Sequence, residues 1–96
     1  MTETRQGCFY FDPADPIYKE HFPGNPVVPG SVIIHAFVKA LENETLCPSS
    51  ISLENFRFKQ FVSPGKYRFS IIPEPGAVRC TLFENDKAVV TGVIRT

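Results

Sequence analysis

His21-Phe22-Pro23-Gly24-Asn25-Pro26-Val27-Val28-Pro29-Gly30 runs without a break into Ser31-Val32-Ile33-Ile34-His35-Ala36. Proline fixes φ and removes an amide donor, so the first part is an ordered but irregular loop. The loop reaches back through Pro16 and Pro13, giving five prolines between residues 12 and 30. From Ser31 the pattern changes. Val32, Ile33, Ala36, Phe37, Ala40 and Leu41 recur at helical spacing, which predicts a helix to about Asn43. Its apolar positions cover a broad face, as on a helix packed against a sheet. Pro29 and Gly30 stand just before it, leaving its first amides free to face a ligand.

Strands are expected on both sides of this unit. Gln6 to Phe11 is short, aromatic and closed by Asp12-Pro13. A polar turn at 44–50 leads to four more segments, Ile51–Val62, Lys66–Ile72, Ala77–Glu84 and Ala88–Arg95. They are separated by Ser63-Pro64-Gly65, Pro73-Glu74-Pro75-Gly76 and Asn85-Asp86-Lys87, all turn chemistry at even spacing, which predicts an antiparallel meander. In the first of the four, Ile51 and Leu53 are apolar at odd positions but Phe56 and Phe58 at even ones. That change of phase predicts a β-bulge near Glu54-Asn55. One helix on a sheet of about five antiparallel strands is an α+β architecture.

The 96 residues form a single expected domain, 1–96. So small a domain buries only roughly two-thirds of its unfolded surface, and oligomerisation is one remedy. Lys+Arg and Asp+Glu balance at ten each. Zero net charge gives no electrostatic case for nucleic acid or a membrane surface. No basic start with a long apolar run is visible at Met1 to Gln6, and no apolar stretch nears the ~20 residues of a membrane span. Cys8, Cys47 and Cys80 are odd in number and far apart, which suits reduced, buried or inert thiols in the cytoplasm and not a disulfide framework or zinc site. No cofactor or metal is expected.

The long loop fixes a histidine, His21, ahead of a helix start whose free amides can polarise a carbonyl oxygen. A fixed base beside such a site is what proton abstraction next to a thioester carbonyl requires. Residues 21–30 resemble the HFPGxPxxPG signature of the β-hydroxyacyl-(acyl-carrier-protein) dehydratases of the FabA/FabZ type, which leads into the central helix of a hotdog fold. A second block, Asn55-Phe56-Arg57-Phe58-Lys59 with Val62 and Pro64-Gly65, resembles that family's NxRFKxxVxPG strand.

The resemblance implies a hotdog fold and a hydro-lyase that removes water from a 3-hydroxyacyl thioester on acyl carrier protein. It makes His21 the catalytic base, the Gly30 amide the group that binds the thioester carbonyl, and Phe22 and the apolar helix face the lining of the acyl tunnel. Gly24 and Ser31 join Phe22 and Gly30 as substrate-binding candidates. A homodimer is implied, the histidine of one chain facing the helix of the other. One position departs from the pattern: the helix normally carries Glu or Asp where this chain has His35. An imidazolium can also donate a proton near neutrality, so His21 and His35 make a workable base and acid.

Arg57, Lys59, Lys66 and Arg68 form a basic cluster in the sequence that suits docking of an acidic carrier protein. Ser31 reads better as a helix cap or backbone contact than as a nucleophile. Phe9, Phe11, Phe56, Phe58 and Phe61 are expected mainly in the core, with some lining the tunnel. Two other functions suit the same fold: a non-catalytic module that binds acyl thioesters or their carrier, and, third in order, a thioesterase, for which the helix start lacks an acidic residue.

Overall fold

The computed structural model describes residues 4–16, 27–43 and 52–95. Its elements in order are β1 (Arg5–Phe11), α1 (Gly30–Asn43), β2 (Ser52–Phe58), β3 (Gly65–Glu74), β4 (Ala77–Glu84) and β5 (Lys87–Arg95). The five strands make one sheet in the order β1-β3-β4-β5-β2, every neighbouring pair antiparallel. The expected helix and antiparallel sheet are present, but the meander covers β3, β4 and β5 alone: β2, expected beside β3, crosses to the far edge and pairs with β5, and β1 takes the place beside β3.

Local chemistry sets the ends of these elements. β1 stops where Asp12 folds back, its carboxylate accepting from the Ala14 amide at 2.9 Å and its carbonyl from the Asp15 amide at 3.0 Å. β3 and β4 join through Pro75-Gly76, with Gly76 at φ 72°. Proline first and a positive-φ glycine second is the requirement of a type II turn. β4 and β5 join through Asn85 and Asp86, at φ 51° and 67°, the two positive angles of a type I′ hairpin.

Several strand limits differ from the sequence reading, β1 and β3 each beginning one residue early, at Arg5 and Gly65. β2 ends at Phe58 and not Val62, because Val62 has left β5 and its carbonyl accepts from the Val28 amide. β3 continues through Pro73 to Glu74; β1 reaches only as far as Ile71, so Pro73 has a partner strand on one side alone. β5 begins at Lys87, because Asn85 and Asp86 suffice for the turn. The bulge is where the change of phase placed it: the β2–β5 register slips between Glu54 and Arg57, with Asn55 at φ 55°.

α1 buries Ile33, Phe37 and Leu41, spaced one turn apart, against one face of the sheet. That face carries Phe11, Tyr67, Ile71, Val78, Leu82, Val90 and Ile94. Phe37 meets Phe9 edge-on at 5.1 Å between ring centres, and Phe9 stacks on Phe69 at 4.0 Å. Two glycines make room for rings from the next strand. Gly7 lies opposite Phe69 in the β1–β3 register, and Gly92 lies under the ring of Phe56. The alternate residues, among them Cys8, Arg57, Lys66, Arg68 and Arg79, stand on the opposite face.

Candidate functional site

The site is built where the two sequence blocks meet. The Val28 amide donates to the Val62 carbonyl at 2.7 Å, tying the loop before α1 to the segment after β2. Beside this tie Gly30 faces the ring of Phe58. A Cβ at Gly30 would come within 3.0 Å of Phe58 Cζ and 3.3 Å of Cε1, so glycine is what lets the ring lie over the helix start. This junction explains in physical terms why the two blocks belong together.

A cavity of about 250 Å³ opens here, with Gly30 at its wall and Val27, Val28, Ile33, Phe58, Phe61 and Val62 around it. The Pro29 carbonyl accepts from the Val32 amide at 3.0 Å and the Ile33 amide at 3.3 Å, which makes Pro29 the helix cap. The amides of Gly30 and Ser31 precede those bonds and have no backbone acceptor among the described residues. No acidic residue occupies the first turn to neutralise the positive end of the helix. Free amides at an apolar opening are suited to hold a carbonyl or other electron-rich oxygen, since little water competes there.

The expected site residues divide. Gly30 lies on the cavity wall. Ser31 is exposed at the second helical position, so the cap expected of it falls to Pro29, whose carbonyl comes first in the helix. His35 is exposed as well. At about 100° per residue it stands some 200° from Ile33, on the side of α1 turned away from the sheet and from the cavity of its own chain. His21, Phe22 and Gly24 lie outside the described residues.

Other expectations need correction. Phe58 is 44% exposed and Phe61 82%, so neither belongs to the core; both line the cavity beside the edge strand. Phe11 is buried, and Phe9 and Phe56 pack against the core as expected. The basic residues close in sequence are divided in space. Lys66 and Arg68 stand on β3 and Arg57 on β2, with β4 and β5 between, about 14 Å at the usual strand spacing. Lys59 follows β2, its amide bonded to Val89. Arg68 is moreover paired with Asp86 at 2.9 Å and lies over the Phe83 ring. Cys80 is buried, and burial pushes its thiol up to about 12, an inert state. Cys8 is exposed because it alternates onto the outer face of β1, and Cys47 lies outside the described residues. Among the described residues no cluster suits a metal ion, and no helix is long and apolar enough to cross a membrane.

The sequence reading missed the polar ties behind the cavity. Tyr67 Oη donates to the Ser63 carbonyl at 2.7 Å, and the Gln60 side-chain amide donates to the Glu84 carboxylate. Burial, with the charge of Glu84 adding to it, holds the Tyr67 phenol above its ordinary 10.0, so it remains a donor. Only the fixed turn Pro64-Gly65 hinted that this segment is built to a shape.

Comparison with known proteins bears on the family and the fold. The model of the ApeI-like family, described as ApeI dehydratase, matches residues 2–93. A 3-hydroxyacyl-(acyl-carrier-protein) dehydratase FabZ of Caulobacter sp. (strain K31) is 41% identical over 61 residues, 53% of this chain and 37% of that protein. The FabZ of Lactiplantibacillus plantarum is 31% identical over 88 residues, 77% of this chain and 60% of its own. The chain thus spans about two-fifths to three-fifths of the length of these relatives. Among solved structures, the dehydratase heterocomplex ApeI:P from Xenorhabdus doucetiae superposes with a TM-score of 0.71 at 24% identity, over 99% of this chain and 92% of that one. An uncharacterised protein of Erwinia carotovora subsp. atroseptica gives 0.72 at 23%, over 98% and 82%. At these identities the superpositions establish the fold, a hotdog.

Proposed function

This chain belongs to the ApeI-like dehydratase family, and we propose that it eliminates water from a 3-hydroxyacyl thioester presented by acyl carrier protein, giving the 2-enoyl thioester. The observation that carries the proposal is the start of α1, where the Gly30 amide, without a backbone acceptor among the described residues, stands at the wall of an apolar cavity. The Gly30 amide takes the thioester carbonyl oxygen and stabilises the negative charge that grows on it as the neighbouring carbon loses its proton. His21 accepts that proton. The electron pair forms the Cα–Cβ double bond, the Cβ–O bond breaks, and His35 as imidazolium gives its proton to the departing hydroxyl, which leaves as water.

His35 faces away from the cavity of its own chain, so it serves the cavity of a second copy. The active unit of this proposal is therefore a homodimer in which each site takes its base and carbonyl contact from one protomer and its acid from the other. The exposed Leu53 on β2 supports an apolar contact between subunits there. Carrier-protein docking rests on Lys66 and Arg68 at one part of the sheet and Arg57 at another, in place of a single basic patch.

The test is detection of the 2-enoyl product from 3-hydroxyacyl thioesters, beside His21→Ala and His35→Ala. Loss of turnover in both variants is expected. Loss in His21→Ala alone would make His35 a bystander. No turnover by the unaltered protein, with thioester binding retained, would replace this reading with a non-catalytic binding module.

A further inference from the structure

Resting on the dehydratase reading above, we propose that Phe61 is a specificity-determining residue, a fixed aromatic wall at the cavity mouth against which the longer acyl chains lie. The ring is 82% exposed although it lines an apolar cavity. An aromatic side chain held so far into water forgoes the stabilisation of burial unless something else covers it.

The backbone beneath this ring is unusually well tied for a segment outside any strand. The Lys59 amide donates to the Val89 carbonyl at 2.9 Å, and the Gln60 amide group donates to Glu84. The Val62 carbonyl accepts from Val28 at 2.7 Å, and the Ser63 carbonyl accepts from Tyr67 at 2.7 Å. Three backbone ties in five residues flank Phe61 on both sides, drawn from β3, β5 and the loop before α1, and the Gln60 side chain adds a side-chain bond to Glu84 of β4. The ring is thus presented by a backbone bonded on both sides of it, and a pre-placed aromatic makes its contact at small entropic cost.

Gly30 and Phe61 line the same cavity, with Phe58 half-exposed between the helix start and that mouth. A thioester with its carbonyl oxygen at Gly30 has these two rings as walls for the rest of its acyl chain. Chains of four carbons end close to the reacting atoms, whereas chains of eight to ten carbons extend along the rings. Tyr67 and Glu84 act through the segment they hold and are positioning residues.

The experiment measures kcat and KM for 3-hydroxybutyryl and 3-hydroxydecanoyl thioesters, on the full chain and on Phe61→Ala, Phe61→Leu and Tyr67→Phe. The oligomeric state of each is followed by light scattering. The expected result is a fall of about tenfold in the ten-carbon to four-carbon ratio of kcat/KM for Phe61→Ala, the size of a lost apolar contact. Phe61→Leu restores part of it, and Tyr67→Phe moves the ratio the same way through KM and not kcat. An unchanged ratio, equal losses on both substrates, or a changed oligomeric state with an unchanged ratio would overturn the proposal. If the unaltered protein turns over neither substrate, the dehydratase reading fails first. Calorimetric binding of 3-hydroxydecanoyl pantetheine then decides this one: weaker binding to Phe61→Ala supports the wall, and equal or absent binding in both proteins refutes it.

Discussion

Gly92→Ala is expected to destabilise the protein by about 2 kcal/mol, through a single ring. Gly92 pairs with Cys80 in the β4–β5 register, and the bulge in β2 brings Phe56 over it. A Cβ at this position would stand 2.6 Å from Phe56 Cε1 and closer still to Cγ and Cδ1. Atoms do not approach so near, so the ring must leave its seat against the core or β2 must shift. Overpacking of this kind costs about 1–3 kcal/mol. Lost burial of part of a phenylalanine adds about 1 kcal/mol, and removal of glycine's extra freedom in the unfolded chain offsets about 0.5–1 kcal/mol. For a domain of this size the net change corresponds to a drop in Tm of roughly 8–16 °C. Urea unfolding at fixed protein concentration reads it as a lower midpoint with an unchanged slope. The decisive comparison is a cycle with Phe56→Ala, in which the alanine at 92 meets no ring and is expected to be neutral or slightly stabilising. An equal cost in both backgrounds would show that the contact with Phe56 is not the reason.

Three further outcomes follow from the same contacts. Gly30→Ala has the milder approach of 3.0 Å to a ring that is 44% exposed and free to yield outward, so Tm is expected to move by no more than a few degrees while kcat/KM for the thioester falls at least tenfold; a variant with full activity would exclude close approach at this amide. Cys80 holds its proton to about 12 in the folded state against an ordinary 9.0, so the unfolded chain loses the proton first as pH rises. Stability is therefore whole below pH 9 and declines from there toward 12, and Cys80→Ala is expected to flatten that decline in urea titrations; in the unaltered protein at pH 8, mass mapping after alkylation is expected to find Cys8 modified and Cys80 protected. Asp86→Gly relieves a positive φ at the cost of an exposed ion pair with Arg68, and the balance is expected to be a gain of about 0.5 kcal/mol, read by chemical denaturation.

The fold was largely legible because its signals are local. Helical spacing in Val32 to Leu41, turn residues at 75–76 and 85–86, and the phase change in β2 each report a conformation that a few neighbouring residues decide. The site was legible only in part. Gly30 stood out as a glycine before a helix, but the exposure of Phe58 and Phe61 depends on β2 being an edge, which follows from the sheet order and not from any property of the strand itself. The basic residues divide in space for a similar reason: Arg57 and Arg68 are near in sequence, yet two strands come to lie between theirs. The ties from Tyr67 and Glu84 to residues 60–63 are single bonds across the fold with no periodic trace.

The order β1-β3-β4-β5-β2 also fixes a sequence of events in time. β3 with β4 and β4 with β5 are joined by two-residue turns, Glu74 meeting Ala77 and Glu84 meeting Lys87, so these pairings close almost no chain. By contrast Phe11 meets Gly65 across 54 residues (65 − 11), and Phe58 meets Val90 across 32 (90 − 58). Loop-closure entropy rises with the logarithm of that length, so the central hairpins are the natural nucleus and the edges join late. The cavity beside Gly30 needs β2 and the loop before α1 together, which makes it among the last parts of the molecule to form and the first to open. Substitutions around it should consequently hasten unfolding and leave the folding rate nearly untouched, whereas changes in the β3–β5 hairpins should slow folding itself.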